Sequence, residues 1–203
     1  MGGFKSIRFL DILVGGGAAF EFKSVEKLTT AHNAQLLNHL MLLDLSHGKL
    51  INLRTPRVEE VFVNTSLRHI DRVRFQIDDS RFKTKDPAAC LFRDSLLDLL
   101  KDWGTGLELA LYFEAMTHVF GGAAVVEHEI GVNWNGRTIA QQPLRLASHE
   151  VAFHLTAMDN TSKEFESQAQ RLLEHPQLKA YLWANVSRKM VTFTLLRRGS
   201  GMS

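Results

Sequence analysis

One cysteine, Cys90, in 203 residues leaves no internal disulfide, and the nine histidines fall in no Cys/His cluster with zinc spacing. Cys90 is expected to be a small buried residue. No apolar run approaches the ~18 residues that cross a bilayer, and the start MGGFKSIRFLDILV lacks a cleavable signal pattern. These absences predict a soluble, cytoplasmic protein with no membrane partner. Charge of one sign is scarce too: a formal net charge of +2 is too weak by itself to mark a nucleic-acid binder. What is present is globular in composition, with 45% hydrophobic and 23% charged residues, which excludes a disordered or fibrous chain. The basic surplus sits early. Residues 1–85 hold thirteen Lys/Arg against nine Asp/Glu, and residues 86–203 hold eleven against thirteen.

Residues 4–14 and 18–23 read as two strands joined at Gly15-Gly16-Gly17, a run that permits the positive φ angles of a tight hairpin. No helix follows these glycines directly, so a hairpin accounts for them better than a phosphate cradle does. Thr29 or Thr30 caps a predicted helix to Leu43, with Leu36, Leu37, Leu40 and Leu43 at helical spacing. Strands are expected at 50–53 and 60–64, around Pro56. Residues 65–87 are polar, and only RVRFQI (72–77) offers a strand. Helices are predicted at 88–102 and 107–119, then strands at 123–134 and 137–146 about an Asn135-Gly136 turn. A strand at 150–157, a helix at 162–174 and strands at 179–186 and 189–196 complete the chain. The second half thus repeats the element order of the first. Phe20 and Phe153, Ala34-Gln35 and Ala169-Gln170, and Asn52 and Asn185 are its anchors.

The chemistry concentrates in the first hairpin. Glu21 and Lys23 are two apart on one strand, so they share a face, and the hairpin brings Asp11 beside them. Two carboxylates suit a hard divalent cation and leave positions for water and a phosphate oxygen. An adjacent ammonium can stabilise charge growing on a phosphoryl group. The same residues also suit a plain cross-strand ion pair on a solvated sheet.

The stretch from Leu10 to Val61, LDILVGGGAAFEFKSVEKLTTAHNAQLLNHLMLLDLSHGKLINLRTPRVEEV, resembles the GxxExxY family, a branch of the PD-(D/E)XK nuclease-like superfamily. The family's strand ending in Asp is matched by Asp11, its Glu-x-Lys strand by Glu21-Phe22-Lys23, and its VEKL segment by Val25 to Leu28. His32, then Ala34 to Leu40 with His39 in place of tyrosine, and Lys49 to Leu53 follow in the family's order. The resemblance implies Asp11 and Glu21 as metal ligands, with the Phe22 carbonyl a third. It implies Lys23 as the catalytic lysine and Gln35 as the group that orients water or phosphate. His32 and His39, seven apart on one side of the helix, are expected to pack at the core edge.

The family's opening helix and first strand have no counterpart before Met1, so this module is expected to be truncated. GTGLELALYFEAM (104–116) resembles that opening helix, with Leu109 at the position of the motif's Glu. Further on, His154 and Thr156 stand where a second copy would hold Glu and Lys.

The resulting expectation is an α/β protein with restriction-endonuclease-like mixed sheets flanked by helices. Residues 1–66 form a truncated nuclease-like module, 67–87 a connector and 88–198 a degenerate repeat. The implied function is Mg²⁺- or Mn²⁺-dependent hydrolysis of DNA or RNA by Asp11, Glu21, Lys23 and Gln35. The alternative is an inactive module that binds nucleic acid or another protein; the oligomeric state stays open.

Overall fold

The computed structural model describes residues 3–134, 137–159, 163–174 and 178–199. The predicted Asn135-Gly136 turn lies outside the described residues. The chain divides into two compact units, Lys5–Arg74 and Phe75–Ser203, the latter joined by Met1–Phe4. Among the described residues no helix is long and apolar enough to cross a membrane.

In the smaller unit, β1 (Ile12–Val14) and β2 (Ala18–Lys23) form an antiparallel hairpin. Gly15 and Gly16 take φ of 56° and 69° in its turn, a region that favours glycine. Helix α1 (Thr30–Leu42) then crosses to β3 (His47–Asn52), parallel to β2, and β4 (Glu59–Asn64) returns antiparallel. The sheet order is β1-β2-β3-β4. Leu36 and Leu40 of α1 meet Ala19, Leu50 and Val63 beneath the helix. That contact works because β3 has Gly48 opposite Ala19: a Cβ there would lie 3.1 Å from a Leu36 methyl and 3.2 Å from the Ala19 carbonyl. A short helix, α2 (His69–Arg72), is fastened by buried Arg72, whose Nη2 donates to the Met41 carbonyl at 2.7 Å.

The larger unit begins with β5 (Gln76–Arg81), α3 (Pro87–Trp103), α4 (Leu109–Val119) and the single turn α5 (Ala123–Val126). Next come β6 (Glu127–Trp134), β7 (Arg137–Ser148), β8 (Val151–Thr156), α6 (Lys163–Glu174), β9 (Ala180–Val186) and β10 (Met190–Arg197). The strand order is β5-β10-β9-β8-β7-β6. Phe92 of α3 packs against Phe153 and Phe193 on one face of the sheet. Ala169 and Leu173 of α6 meet Ala152, Tyr181 and Trp183 on the other. Two mixed sheets flanked by helices make an α/β fold of restriction-endonuclease-like type.

One shift of 133 residues carries the first sheet's pairing onto the second's. Ile12↔Phe20 becomes Arg145↔Phe153, Ala19↔Gly48 becomes Ala152↔Tyr181, and Lys49↔Phe62 becomes Leu182↔Leu195. The two ends of the parallel pair are clamped alike. Asn52 accepts from the Val25 N–H and donates to the Val25 carbonyl. Asn185 makes the same two bonds to Met158.

Several elements differ from those expected. Residues 4–11 are not strand: β1 starts only at Ile12, and Phe9 is 81% exposed. The expected strand at 72–77 is the end of α2 followed by β5, which is shifted to 76–81 by its parallel pairing with β10. Residues 123–126 turn as α5 before β6 starts. Cys90 is half-buried on α3, its thiol directed at the Thr84 carbonyl at 3.9 Å. In α6 the buried positions Ala169 and Leu173 stand 133 residues beyond Leu36 and Leu40 of α1, so Gln168, rather than Gln170, occupies the place of Gln35.

Candidate active site

Strand β2 turns Ala19, Glu21 and Lys23 toward α1, because alternate residues of a strand face one way. Ala19 goes into the apolar core, and the two charged residues continue the row toward the end of the strand. Glu21 is only 4% exposed. Its Oε1 accepts from Lys23 Nζ at 2.8 Å and from Gln35 Nε2 at 3.2 Å, and Lys23 Nζ also donates to Gln35 Oε1 at 2.9 Å. Three of the four sequence-selected side chains therefore close a hydrogen-bonded triangle. A buried carboxylate needs such partners, since leaving a charge unpaired inside a protein costs several kcal/mol.

Asp11 is placed differently. It is exposed, just ahead of β1, and its Oδ2 accepts from the Phe22 backbone N–H at 2.7 Å. The hairpin thus holds Asp11 against the Glu-x-Lys backbone, without a bond to the triangle itself.

The other Glu21 oxygen has no hydrogen-bond partner, although it is buried. Facing it at 3.4 Å is Nδ1 of His39, 6% exposed and likewise without a hydrogen bond. Each orphaned polar atom costs about 1–3 kcal/mol of lost hydration. His39 was expected to pack at the core edge, and it turns instead into the carboxylate. The readable signal was its spacing from Gln35, one helical turn, which places both on the inner side of α1. His32 is also engaged in a way the sequence reading did not give: its Nδ1 accepts from the Thr29 N–H at 3.0 Å and so caps the first turn of α1.

Residues 3–63 match the family model of the PD-(D/E)XK nuclease superfamily. The matched segment includes Asp11, Glu21, Phe22, Lys23, Gln35 and His39, together with β1, β2, α1 and β3. No curated protein and no solved structure matches the chain.

The donor set fits the divalent cation that this superfamily generally uses: the buried Glu21 oxygen with no hydrogen-bond partner, the Asp11 carboxylate held at the Phe22 backbone and the Phe22 carbonyl are hard oxygen donors. Among the described residues no three His, Cys, Asp or Glu side chains are already gathered for a metal ion.

The larger unit carries different side chains at the positions reached by the 133-residue shift. His154 stands for Glu21 and stacks on Phe165 and Tyr181, with Phe113 against its ring at 5.4 Å. Burial, and then the Arg145 charge, lower its pKa. Thr156 stands for Lys23; its hydroxyl donates to Asn185 Oδ1 and accepts from the Trp183 indole, both at 2.9 Å. Tyr181 fills the place of Gly48, adding bulk where α1 comes close in the smaller unit. Aromatic rings surround His154 there.

Proposed function

We propose that the unit Lys5–Arg74 is a divalent-cation-dependent nuclease site that hydrolyses phosphodiester bonds in nucleic acid. The observation that carries this reading is the triangle that half-buried Lys23 and Gln35 close on buried Glu21, lying within the segment matched to the nuclease superfamily. Asp11, Glu21 and the Phe22 carbonyl would hold Mg²⁺ or Mn²⁺. A bound divalent ion supplies a more acidic water and compensation for phosphate charge. Lys23 donates to the phosphoryl oxygens as charge grows on them, and Gln35, bridging Lys23 and Glu21, orients water or a phosphate oxygen.

We further read the chain as a GxxExxY-type module followed by a degenerate copy of itself. The common 133-residue register and the two equivalent asparagine clamps support this. With His154 and Thr156 in place of Glu21 and Lys23, the second copy is non-catalytic and serves as scaffold.

Two variants test the reading on purified full chain with single- and double-stranded DNA and RNA. Glu21→Gln should abolish both Mg²⁺ binding and cleavage, because a neutral amide holds this hard cation poorly. Lys23→Ala should leave ion binding intact or stronger while lowering the rate roughly 10²–10³-fold. The placement of Asp11, bonded to the Phe22 amide, favours a second reading as an inactive binding module. A wild-type chain that neither binds the ion in calorimetry nor cleaves any of the four substrates would establish that second reading.

A further inference from the structure

We propose that His39 is a metal ligand, and that Nδ1 of His39 with Oε2 of Glu21 forms a mixed nitrogen and oxygen site selecting a borderline first-row dication, Mn²⁺ being the probe, over Mg²⁺. The proposal rests on the ion-binding part of the reading above and is independent of phosphodiester cleavage.

Both atoms are buried and lack hydrogen bonds, and they face each other 3.4 Å apart. Two bonds of about 2.1 Å to one ion would place its ligands at this separation with an angle of about 108° between them, within the range of tetrahedral and distorted octahedral sites. The other Glu21 oxygen is already taken by Lys23 and Gln35, so the carboxylate divides its work, one oxygen for the ammonium and amide and one left over. His39 is held in place by its neighbours. Leu36 and Leu40, both fully buried, fix the inner side of α1, so the imidazole is set before an ion arrives.

The larger unit supplies an internal comparison. Where the 133-residue shift replaces Glu21 by His154, it replaces His39 by Leu172, an apolar residue packed on the core of that unit. Both halves of the facing pair are absent together. Ligand chemistry then sets the preference: imidazole nitrogen suits transition-metal dications, whereas Mg²⁺ strongly favours oxygen.

The test is Mn²⁺ binding to the full chain, followed by electron paramagnetic resonance with nitrogen modulation as the direct readout. Mg²⁺ affinity is measured by competition. Wild type should show modulation from a coordinated imidazole nitrogen. His39→Phe keeps a ring and removes the nitrogen; it should lose the modulation and at least tenfold in Mn²⁺ affinity, with Mg²⁺ affinity changed less than about threefold. His39→Gln, with a smaller side chain of similar helix propensity, gives the same comparison if the phenylalanine variant does not fold. Mn²⁺ bound without nitrogen modulation, or bound equally well by both variants, overturns the proposal and leaves the carboxylate-only nuclease site standing. Failure of wild type to bind either ion overturns both.

Discussion

Glu21 and Lys23 should behave as a strongly coupled pair in a double-mutant cycle. Their charged atoms are 2.8 Å apart, with side-chain exposures of 5% and 17%. At an effective dielectric constant of about 20, that separation gives roughly 6 kcal/mol of gross attraction. Desolvation of both groups offsets much of it, and we expect a net coupling of about 2–3 kcal/mol. Lys23→Met leaves the buried carboxylate with Gln35 as its one remaining donor in the triangle and should destabilise the unit by about 3 kcal/mol. Glu21→Gln strands the ammonium by a similar amount. The double variant should cost clearly less than the two added together. The readout is hydrogen exchange at the β2 and β3 amides, because all three tryptophans and both tyrosines lie beyond residue 75 and fluorescence does not report on Lys5–Arg74. A loss of 3 kcal/mol appears as exchange roughly 10²-fold faster. Effects that add within ~0.5 kcal/mol would refute the argument, since they would mean that water screens the pair despite its burial.

Asn52→Ala removes both bonds to Val25 and one each to Glu59 and the Arg54 N–H, and should lower stability by about 2–4 kcal/mol; Asn185→Ala should do the same in the larger unit, each measured by urea denaturation with exchange read at the matching strands. Gly48→Ala should cost about 1–3 kcal/mol in the same assay, because its new methyl must displace Leu36 or the Ala19 carbonyl. Burial raises the pKa of the Tyr181 hydroxyl far above its ordinary value. The folded protein therefore keeps it neutral while the unfolded chain ionises near pH 10, so stability falls as pH rises past that value. Denaturation of wild type and Tyr181→Phe between pH 8 and 11 checks this, and the variant should show the smaller decline.

The parts legible in the sequence were those with local cause. The glycine run, the leucine spacing of α1 and the alternation in β2 each fix a short element through its own backbone, and the two-residue spacing aligned Glu21 with Lys23. Residues 4–11 read as the start of a hairpin strand, yet the pairing with β2 begins only at Ile12, so local composition did not decide where the strand starts. Strand β5 went the other way: QIDDSR is polar and exposed throughout, and pairing with β10 draws it into the sheet against its propensity. The pairing of His39 with Glu21 was hidden for a related reason. The two lie on different elements, and only packing of α1 on β2 brings them within 3.4 Å.

The position of β5 bears on how the chain folds as it is synthesised. Among the described residues its neighbour in the sheet is β10, more than a hundred residues later, with Gln76 pairing to Met190. Closing so long a loop is the slowest kind of contact to form, and a ribosome emitting ~5–20 residues per second must deliver the chain through β10 first. The unit Lys5–Arg74 faces no such wait, for its parallel pair closes between Ala18 and His47 at a loop cost of about 3 kcal/mol. Its triangle of Glu21, Lys23 and Gln35 can thus assemble while the larger unit is still an incomplete sheet.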